Sequence, residues 1–188
     1  MNIGVLALQG NFSANYKKIL EFGETPIYVK DKKSLYKCDA LIIPGGESTV
    51  MSKMIDFNGL RDPLLSIKEK ISFMGVCAGM VLLSKTDNYH NLKTLSIMDF
   101  KVKRNGYGRQ VHSSNEKIKL SMCNKEINAC FIRAPKVTDF SANIKCLSEL
   151  KDTPILLTDG KHIASSFHPE FSEGFEIYKY FKKLVETN

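Results

Sequence analysis

Short apolar runs alternate with amphipathic segments in the first half of the chain. The predominantly apolar runs of strand length cover 3–8, 26–29, 40–43 and 71–76. A continuous apolar run is typical of a strand buried on both faces of a parallel sheet. Helical spacing of apolar residues over 11–22, ended by Gly23, and a segment at 78–83 predict helices between and after these strands. This alternation predicts βαβ units that close into a doubly wound sheet.

The second half of the chain has a different pattern. Short runs rich in strand-forming residues, some of them expected to be antiparallel, cover 97–102, 117–120, 129–132, 155–158 and 162–166. An amphipathic helix is predicted over 173–185. The chain shows no repeat, low-complexity stretch or linker. We therefore predict one α/β domain over 1–188: a three-layer, doubly wound, mostly parallel sheet flanked by helices, with some antiparallel strands in the C-terminal half.

Composition narrows the classes of function. The 27 Lys and Arg residues exceed the 20 Asp and Glu residues, for a formal charge of +7, but they are scattered and form no polybasic arm. This favours weak attraction to acidic surfaces over nucleic-acid binding. No run approaches the roughly 18 apolar residues of a membrane span, and the N-terminus lacks signal-peptide features. Five cysteines without a CxxC pair argue against a disulfide framework or a zinc site, so we expect a cytoplasmic protein without metal or cofactor.

The strongest candidate for chemistry is Cys77, which follows an apolar strand and precedes a helix. Small residues surround it in the stretch Gly75-Val76-Cys77-Ala78-Gly79. This is the pattern of a nucleophile elbow, in which a strained turn packs backbone against backbone. The helix N-terminus favours a thiolate, and the Ala78 N–H could donate to an oxyanion. The alternative is a buried structural cysteine.

A nucleophilic cysteine needs a base, and His168 is the best of the four histidines. It follows an apolar strand, and Glu170 lies two residues further on. In an extended segment this spacing places both side chains on one face, so that the carboxylate would hold the imidazole in one tautomer. The alternative is a surface turn. His90, His112 and His162 lack such a neighbour and are expected at the surface or in loops.

A third candidate loop, 44–49, also follows an apolar strand. Two adjacent glycines permit close backbone approach, and the following helix could bind a carboxylate or oxyanion with its N–H groups. The lysine of a phosphate-binding loop is missing, which disfavours ATP. Arg104, Arg109 and Arg133 could clamp a small carboxylate, with ordinary salt bridges as the alternative.

Taken together, these stretches resemble the class I, triad-type glutamine amidotransferases and, among them, the glutaminase subunits of pyridoxal 5'-phosphate synthase. The resemblance is carried in order by residues 4–10, 44–49, 77–80, 104–105, 108–110, 131–135 and 167–170. Cys-Ala-Gly and His-Pro-Glu mark the wider class. Leu-Gln-Gly, Gly-Gly-Glu-Ser-Thr, Gly-Arg-Gln and Ile-Arg-Ala-Pro mark the narrower family. The joint occurrence is highly specific and spans nearly the whole chain.

The resemblance implies hydrolysis of L-glutamine to glutamate and ammonia through a γ-glutamyl thioester. It implies Cys77 as nucleophile, His168 as proton shuttle and Glu170 as the group that orients it. The implied glutamine-binding residues are Gly46, Glu47, Ser48, Arg104, Ile132 and Arg133, with an oxyanion hole formed by the backbone of Gly46 and Ala78. The ammonia would pass to a synthase (lyase) subunit in a large hetero-oligomer that makes vitamin B6, and Gln9 matches a residue associated with activation by that partner.

Three positions depart from the family pattern. Asn15-Tyr16 stands where an acidic residue and a histidine are usual, Gly106-Tyr107 replaces Ala-Phe, and Val76 takes a position often held by Thr. The first departure lies near the expected docking surface and would affect partner affinity. We also expect an incomplete oxyanion hole in the isolated chain, because the peptide between Gly45 and Gly46 can rotate at little cost.

Three other functions stay open at this point. An amidotransferase subunit of another pathway, such as histidine or purine synthesis, would keep Cys77, His168 and Glu170 and differ only in its partner. A cysteine peptidase would share the elbow but leave the 46–48 segment without a purpose. A non-catalytic regulatory subunit would keep the fold, although an intact Cys, His and Glu set argues against it.

Overall fold

A seven-stranded sheet forms the centre of the computed structural model, which describes residues 1–85, 92–104, 106 and 113–187. Its strand order is β2-β1-β3-β4-β11-β10-β9, in which β10 and β9 are antiparallel to their neighbours and the other five strands are parallel. The strands of this sheet are β1 (Asn2–Leu6), β2 (Thr25–Val29), β3 (Ala40–Ile43), β4 (Ser72–Val76), β9 (Lys145–Leu150), β10 (Thr153–Thr158) and β11 (Ile163–Ser165).

Two antiparallel pairs lie beside this sheet. One joins β5 (Phe100–Lys103) to β8 (Lys136–Phe140), and the other is a hairpin of β6 (Ser113–Leu120) and β7 (Lys125–Ile132). The helices are α1 (Phe12–Glu21), α2 (Lys32–Leu35), α3 (Ser48–Phe57), α4 (Arg61–Ile67), α5 (Ala78–Leu83) and α6 (Glu176–Thr187), with a short 3₁₀ turn at Pro169–Phe171. No helix in the described part of the chain is long and apolar enough to cross a membrane.

Two apolar cores cover the two faces of the sheet. On one face, buried side chains of α2, α3, α4 and α5 pack together, including Leu35, Met51, Leu64 and Leu82. On the other face, α1, α6 and the β6–β7 hairpin share a core. The central strands are buried along their whole length because both faces are covered, as in β3, where every residue is buried. The predicted three-layer, mostly parallel fold with antiparallel strands in the C-terminal half is confirmed.

Several local expectations differ from the structure. The predicted strand over 97–102 begins only at Phe100, because the N–H groups of Ile97 and Met98 donate to the Leu83 carbonyl at the end of α5, each at 3.0 Å. The strands β8 and β9, in which buried and exposed residues do not alternate regularly, were not predicted, and neither were the helices α2 and α4. Despite these differences, the carboxyl ends of the parallel strands β1, β3, β4 and β11 lie together at one edge of the sheet.

Candidate active site

Cys77 occupies a strained turn between β4 and α5. Its φ of 49° and ψ of −100° lie outside the regions that side-chain-bearing residues favour. The turn is held because the Cys77 N–H donates to the Ser165 carbonyl at 2.8 Å. A Cβ on Gly79 would lie 2.0 Å from the Ile43 carbonyl oxygen, so the elbow packs directly on β3. The expected elbow geometry is present, and small neighbours are required for it.

His168 and Glu170 form a buried pair opposite this elbow. The Nδ1 of His168 lies 2.9 Å from Glu170 Oε1, and both residues are buried. The His168 N–H donates to the Cys130 carbonyl at 2.9 Å, which ties the residue to β7. The predicted proximity is present, but the predicted reason was wrong. The Pro169–Phe171 turn is 3₁₀ rather than extended, and it brings the Glu170 carboxylate to the Nδ1 edge of the His168 ring.

The environment of His168 favours the protonated ring. Burial alone lowers its pKa, but the interactions of the ring with the Cys77 sulfur and with Glu170 are stronger and raise the pKa from 6.5 to about 9. The Asn11 amide lies on the same carboxylate, donating to Glu170 Oε1 at 3.4 Å. The arrangement can therefore accept a proton from a thiol and hold it on the imidazole.

The two glycines of the 44–49 loop lie against this pair. A Cβ on Gly45 would be 2.3 Å from His168 Cε1, so only glycine leaves room for the ring. The Gly45 carbonyl accepts from the Asn11 N–H at 2.8 Å. On its other side the loop meets Gln9, whose Oε1 accepts from the Glu47 N–H at 2.9 Å. The first and third strands are thus joined through their following loops.

An ion pair closes one side of the site. Arg104 Nη2 lies 2.6 Å from Glu47 Oε1, and Arg104 Nη1 donates to Thr49 Oγ1 at 2.8 Å. Glu47 also caps α3, accepting from the amides of Thr49 and Val50. Burial raises the pKa of Glu47, but these amides, the Thr49 hydroxyl and the charge of Arg104 lower it below its ordinary value overall. Glu47 and Arg104 therefore present opposite charges side by side.

Nearly all of the predicted site residues line one cleft of about 690 Å³. Ile132 offers its carbonyl 3.5 Å from Cys77 Sγ, and Arg133 follows it with a φ of 47°. Glu170 and Gln9 do not line the cleft. Glu170 contacts the lining residue His168, and Gln9 contacts the lining residue Glu47. The predicted site residues on the cleft are Gly46, Glu47, Ser48, Cys77, Ala78, Arg104, Ile132, Arg133 and His168.

The cleft has further lining residues that were not among the predicted site residues. Phe171 stacks on the His168 ring with centroids 5.7 Å apart and an interplanar angle of 29°. Asn11 lines the cleft where α1 begins, and Val81 and Pro135 complete the wall. For Asn11 and Phe171 a signal exists, since each lies next to a motif residue. Nothing local marks Val81, which reaches the cleft only because α5 starts at the elbow.

His162, which was not predicted as a site residue, accepts a hydrogen bond in the core. His162 was expected in a loop or at the surface, but it is buried and its Nδ1 accepts from the Phe73 N–H at 3.1 Å. Burial lowers its pKa, and the imidazole serves as a neutral acceptor in the core. The expected loop position is correct, because His162 lies in the connection between β10 and β11, but the ring is not at the surface because it packs against β4. His90, His112, Arg109 and Tyr107 lie outside the described residues.

The described residues hold no group of three or more His, Cys, Asp or Glu side chains that could bind a metal ion. All five cysteines are free thiols. The cleft brings together a thiol, an adjacent imidazole–carboxylate pair and backbone amides, which suit nucleophilic chemistry. Ala78 is the first residue of α5, a position where helix N–H groups have no intrahelical acceptor.

Comparison with known proteins supplies the family context. The model of the SNO glutamine amidotransferase family matches residues 5–187. The pyridoxal 5'-phosphate synthase subunit PdxT of Thermosipho africanus is 40% identical over 187 residues, which cover 99% of this chain and 100% of that protein. The same subunit of Caldicellulosiruptor saccharolyticus is 41% identical over 171 residues, with 90% of each chain covered.

Solved structures agree with this. A crystal structure of a glutamine amidotransferase matches with a TM-score of 0.93 at 35% identity and covers 98% of both chains. The structure of PurLQS from Thermotoga maritima matches with a TM-score of 0.63 at 14% identity, covering 99% of this chain and 97% of that one. At that identity the second match shows a shared fold alone.

Proposed function

The chain belongs to the SNO glutamine amidotransferase family, and on that premise we propose that it is the glutaminase subunit of a pyridoxal 5'-phosphate synthase. It hydrolyses L-glutamine to L-glutamate and ammonia, and it delivers the ammonia to a partner subunit for vitamin B6 synthesis. The observation that carries the chemistry is that Cys77 and His168 meet in one cleft beside the loop of Gly46, Glu47 and Ser48. Residues 1–188 act as one glutaminase domain in the cytoplasm.

In the proposed reaction the Cys77 sulfur is first the nucleophile and then the leaving group. His168 takes the proton of Cys77, and the sulfur attacks the side-chain amide carbon of glutamine to form a C–S bond. His168 then gives that proton to the leaving nitrogen, so the C–N bond breaks and ammonia departs. Water, deprotonated by His168, breaks the C–S bond of the γ-glutamyl thioester, glutamate leaves and the proton returns to the sulfur. Glu170 holds the ring through Nδ1 at 2.9 Å throughout.

The cleft suits glutamine because it offers opposite charges to a zwitterion. Glu47 attracts the α-ammonium group and Arg104 attracts the α-carboxylate, while Gly46, Ser48, Ile132 and Arg133 border the rest of the substrate. The Gly46 and Ala78 amides donate to the oxyanion of the tetrahedral intermediate. The side chains of the triad, these backbone amides and a water molecule account for every step of the proposed reaction.

The partner is the synthase (lyase) subunit in a large hetero-oligomer, because relatives at about 40% identity are named as subunits of pyridoxal 5'-phosphate synthase. Glutaminase activity stays low until that partner docks. Gln9 transmits docking, since its side chain holds the Glu47 amide next to Gly46. Rotation of the peptide between Gly45 and Gly46 must break the hydrogen bond from the Asn11 N–H to the Gly45 carbonyl. This hydrogen bond therefore holds the peptide in the orientation of the inactive state.

The test is ammonia release from L-glutamine by the purified chain, alone and with a pyridoxal 5'-phosphate synthase partner. We expect release that rises sharply with the partner and disappears in Cys77→Ala. Cys123→Ala is the matched control, because Cys123 is an exposed free thiol away from the cleft. Activity indifferent to this partner would assign the glutaminase to another synthase. No activity under either condition would favour a regulatory subunit.

A further inference from the structure

The Arg104 guanidinium contacts two residues at the N-terminal end of α3, the N-cap Glu47 and the helix residue Thr49. Its Nη2 contacts Glu47 Oε1 at 2.6 Å, and its Nη1 donates to Thr49 Oγ1 at 2.8 Å. The contact spans 55 residues of sequence and joins the end of β5 to the start of α3. A guanidinium carries its donors in a fixed plane, so holding two of its nitrogens fixes the direction of the whole group.

Thr49 connects to both members of the ion pair. Its backbone N–H donates to Glu47 Oε1 at 3.1 Å, and its hydroxyl accepts from Arg104. As the second residue of α3 it has a fixed backbone, and β-branching restricts its χ1, so the hydroxyl stands in one of few directions. Thr49 therefore helps to fix the distance between the Glu47 carboxylate and the Arg104 guanidinium at the cleft.

The ion pair alone would hold Arg104 poorly. The Glu47 side chain is 43% exposed and that of Arg104 is 26% exposed, and pairs at such positions are screened by solvent. Arginine also has a long side chain that loses much rotamer freedom when it is fixed. A second contact from a stiff neighbour restricts Arg104 to one orientation before any ligand arrives, and such preorganisation strengthens binding.

We propose that Thr49 is a positioning residue that orients Arg104 for the α-carboxylate of glutamine. This inference rests on the proposed function, in which Arg104 and Glu47 bind the two charged groups of the substrate. Thr49 touches no reacting atom. Its loss therefore weakens ground-state and transition-state binding equally, which raises KM and leaves kcat unchanged.

The test compares Thr49→Val, which keeps the shape and removes the hydroxyl, with Thr49→Ser, which keeps the hydroxyl. Ammonia release is measured as a function of L-glutamine with the synthase partner present. We expect Thr49→Val to raise KM about tenfold with kcat within about twofold of wild type, and Thr49→Ser to stay within about twofold in both. Val50→Ala, an exposed neighbour on the same helix, is the control for general disturbance of α3.

A second set of variants shows whether Thr49 acts through Arg104. In an Arg104→Ala background, Thr49→Val should raise KM much less than in wild type, because the group that it orients is gone and only its contact with Glu47 remains. Calorimetric binding of L-glutamine to Cys77→Ala, with and without Thr49→Val, gives the same comparison without turnover. Equal KM and equal binding in wild type and Thr49→Val would overturn the inference, as would an additive loss with Arg104→Ala. A wild-type complex that neither binds nor hydrolyses glutamine would overturn the proposed function, and this inference with it.

Discussion

Replacing His168 by Asn should change how the stability of the protein depends on pH. The pKa of His168 is raised from 6.5 to about 9 in the folded chain, because its interactions with Cys77 and Glu170 outweigh the effect of burial. In the unfolded chain the ring titrates near its ordinary value. A group with a raised folded-state pKa binds its proton more tightly when folded, so it stabilises the fold at low pH.

The size of this contribution follows from the shift. One pKa unit corresponds to about 1.4 kcal/mol, so the shift of His168 amounts to about 3 kcal/mol of unfolding free energy. The contribution is fully present below pH 6.5 and is lost as the pH rises through about 9. His168→Asn removes it entirely. Glu170→Gln removes the part that the carboxylate supplies at 2.9 Å.

The assay is urea unfolding at about pH 6 and about pH 10 for wild type and both variants. The free-energy difference between wild type and His168→Asn should be about 3 kcal/mol larger at the lower pH. Glu170→Gln should show a smaller change of the same sign. Titrating groups that do not contact His168 are common to all three chains and cancel in the difference. A difference that stays constant across this range would refute the argument that the triad stabilises the protonated ring.

Two further predictions concern positions that pack against the site or the core. Gly45→Ala places a Cβ 2.3 Å from His168 Cε1, so the buried ring must move. We expect kcat to fall at least about tenfold and the urea midpoint to fall as well, because overpacking costs stability; an unchanged kcat would contradict this. His162, whose pKa is lowered by burial, accepts from the Phe73 N–H only when neutral. Wild type should therefore lose stability as the pH falls below 6.5, and His162→Asn should lose less between about pH 7.5 and about pH 5; identical acid dependence in both proteins would argue against a buried neutral ring.

The parallel half of the fold could be predicted because burial on both faces leaves a local signature. The run at 40–43 coincides with β3, and 78–83 coincides with α5. The strands β8 and β9 leave a weaker signature, since both have exposed positions in no regular alternation. The strand β8 also depends on pairing with the distant β5, whereas β9 forms a hairpin with β10. In α4, Pro63 obscured a helix that tolerates it because it lies in the first turn.

The candidate site likewise has one part that the parallel strands place and one part that they do not. Four of its motifs follow β1, β3, β4 and β11, and these strands are adjacent and parallel, so their carboxyl ends meet at one edge. Once the fold class is predicted, the proximity of Gln9, Glu47, Cys77 and His168 follows from the strand order. Arg104 follows β5, which lies outside the main sheet, and no strand order places it. Its contact with Thr49 depends on how a separate strand pair docks, which local sequence does not encode. Both residues lie in predicted motifs, but only the docked strand pair brings them into contact.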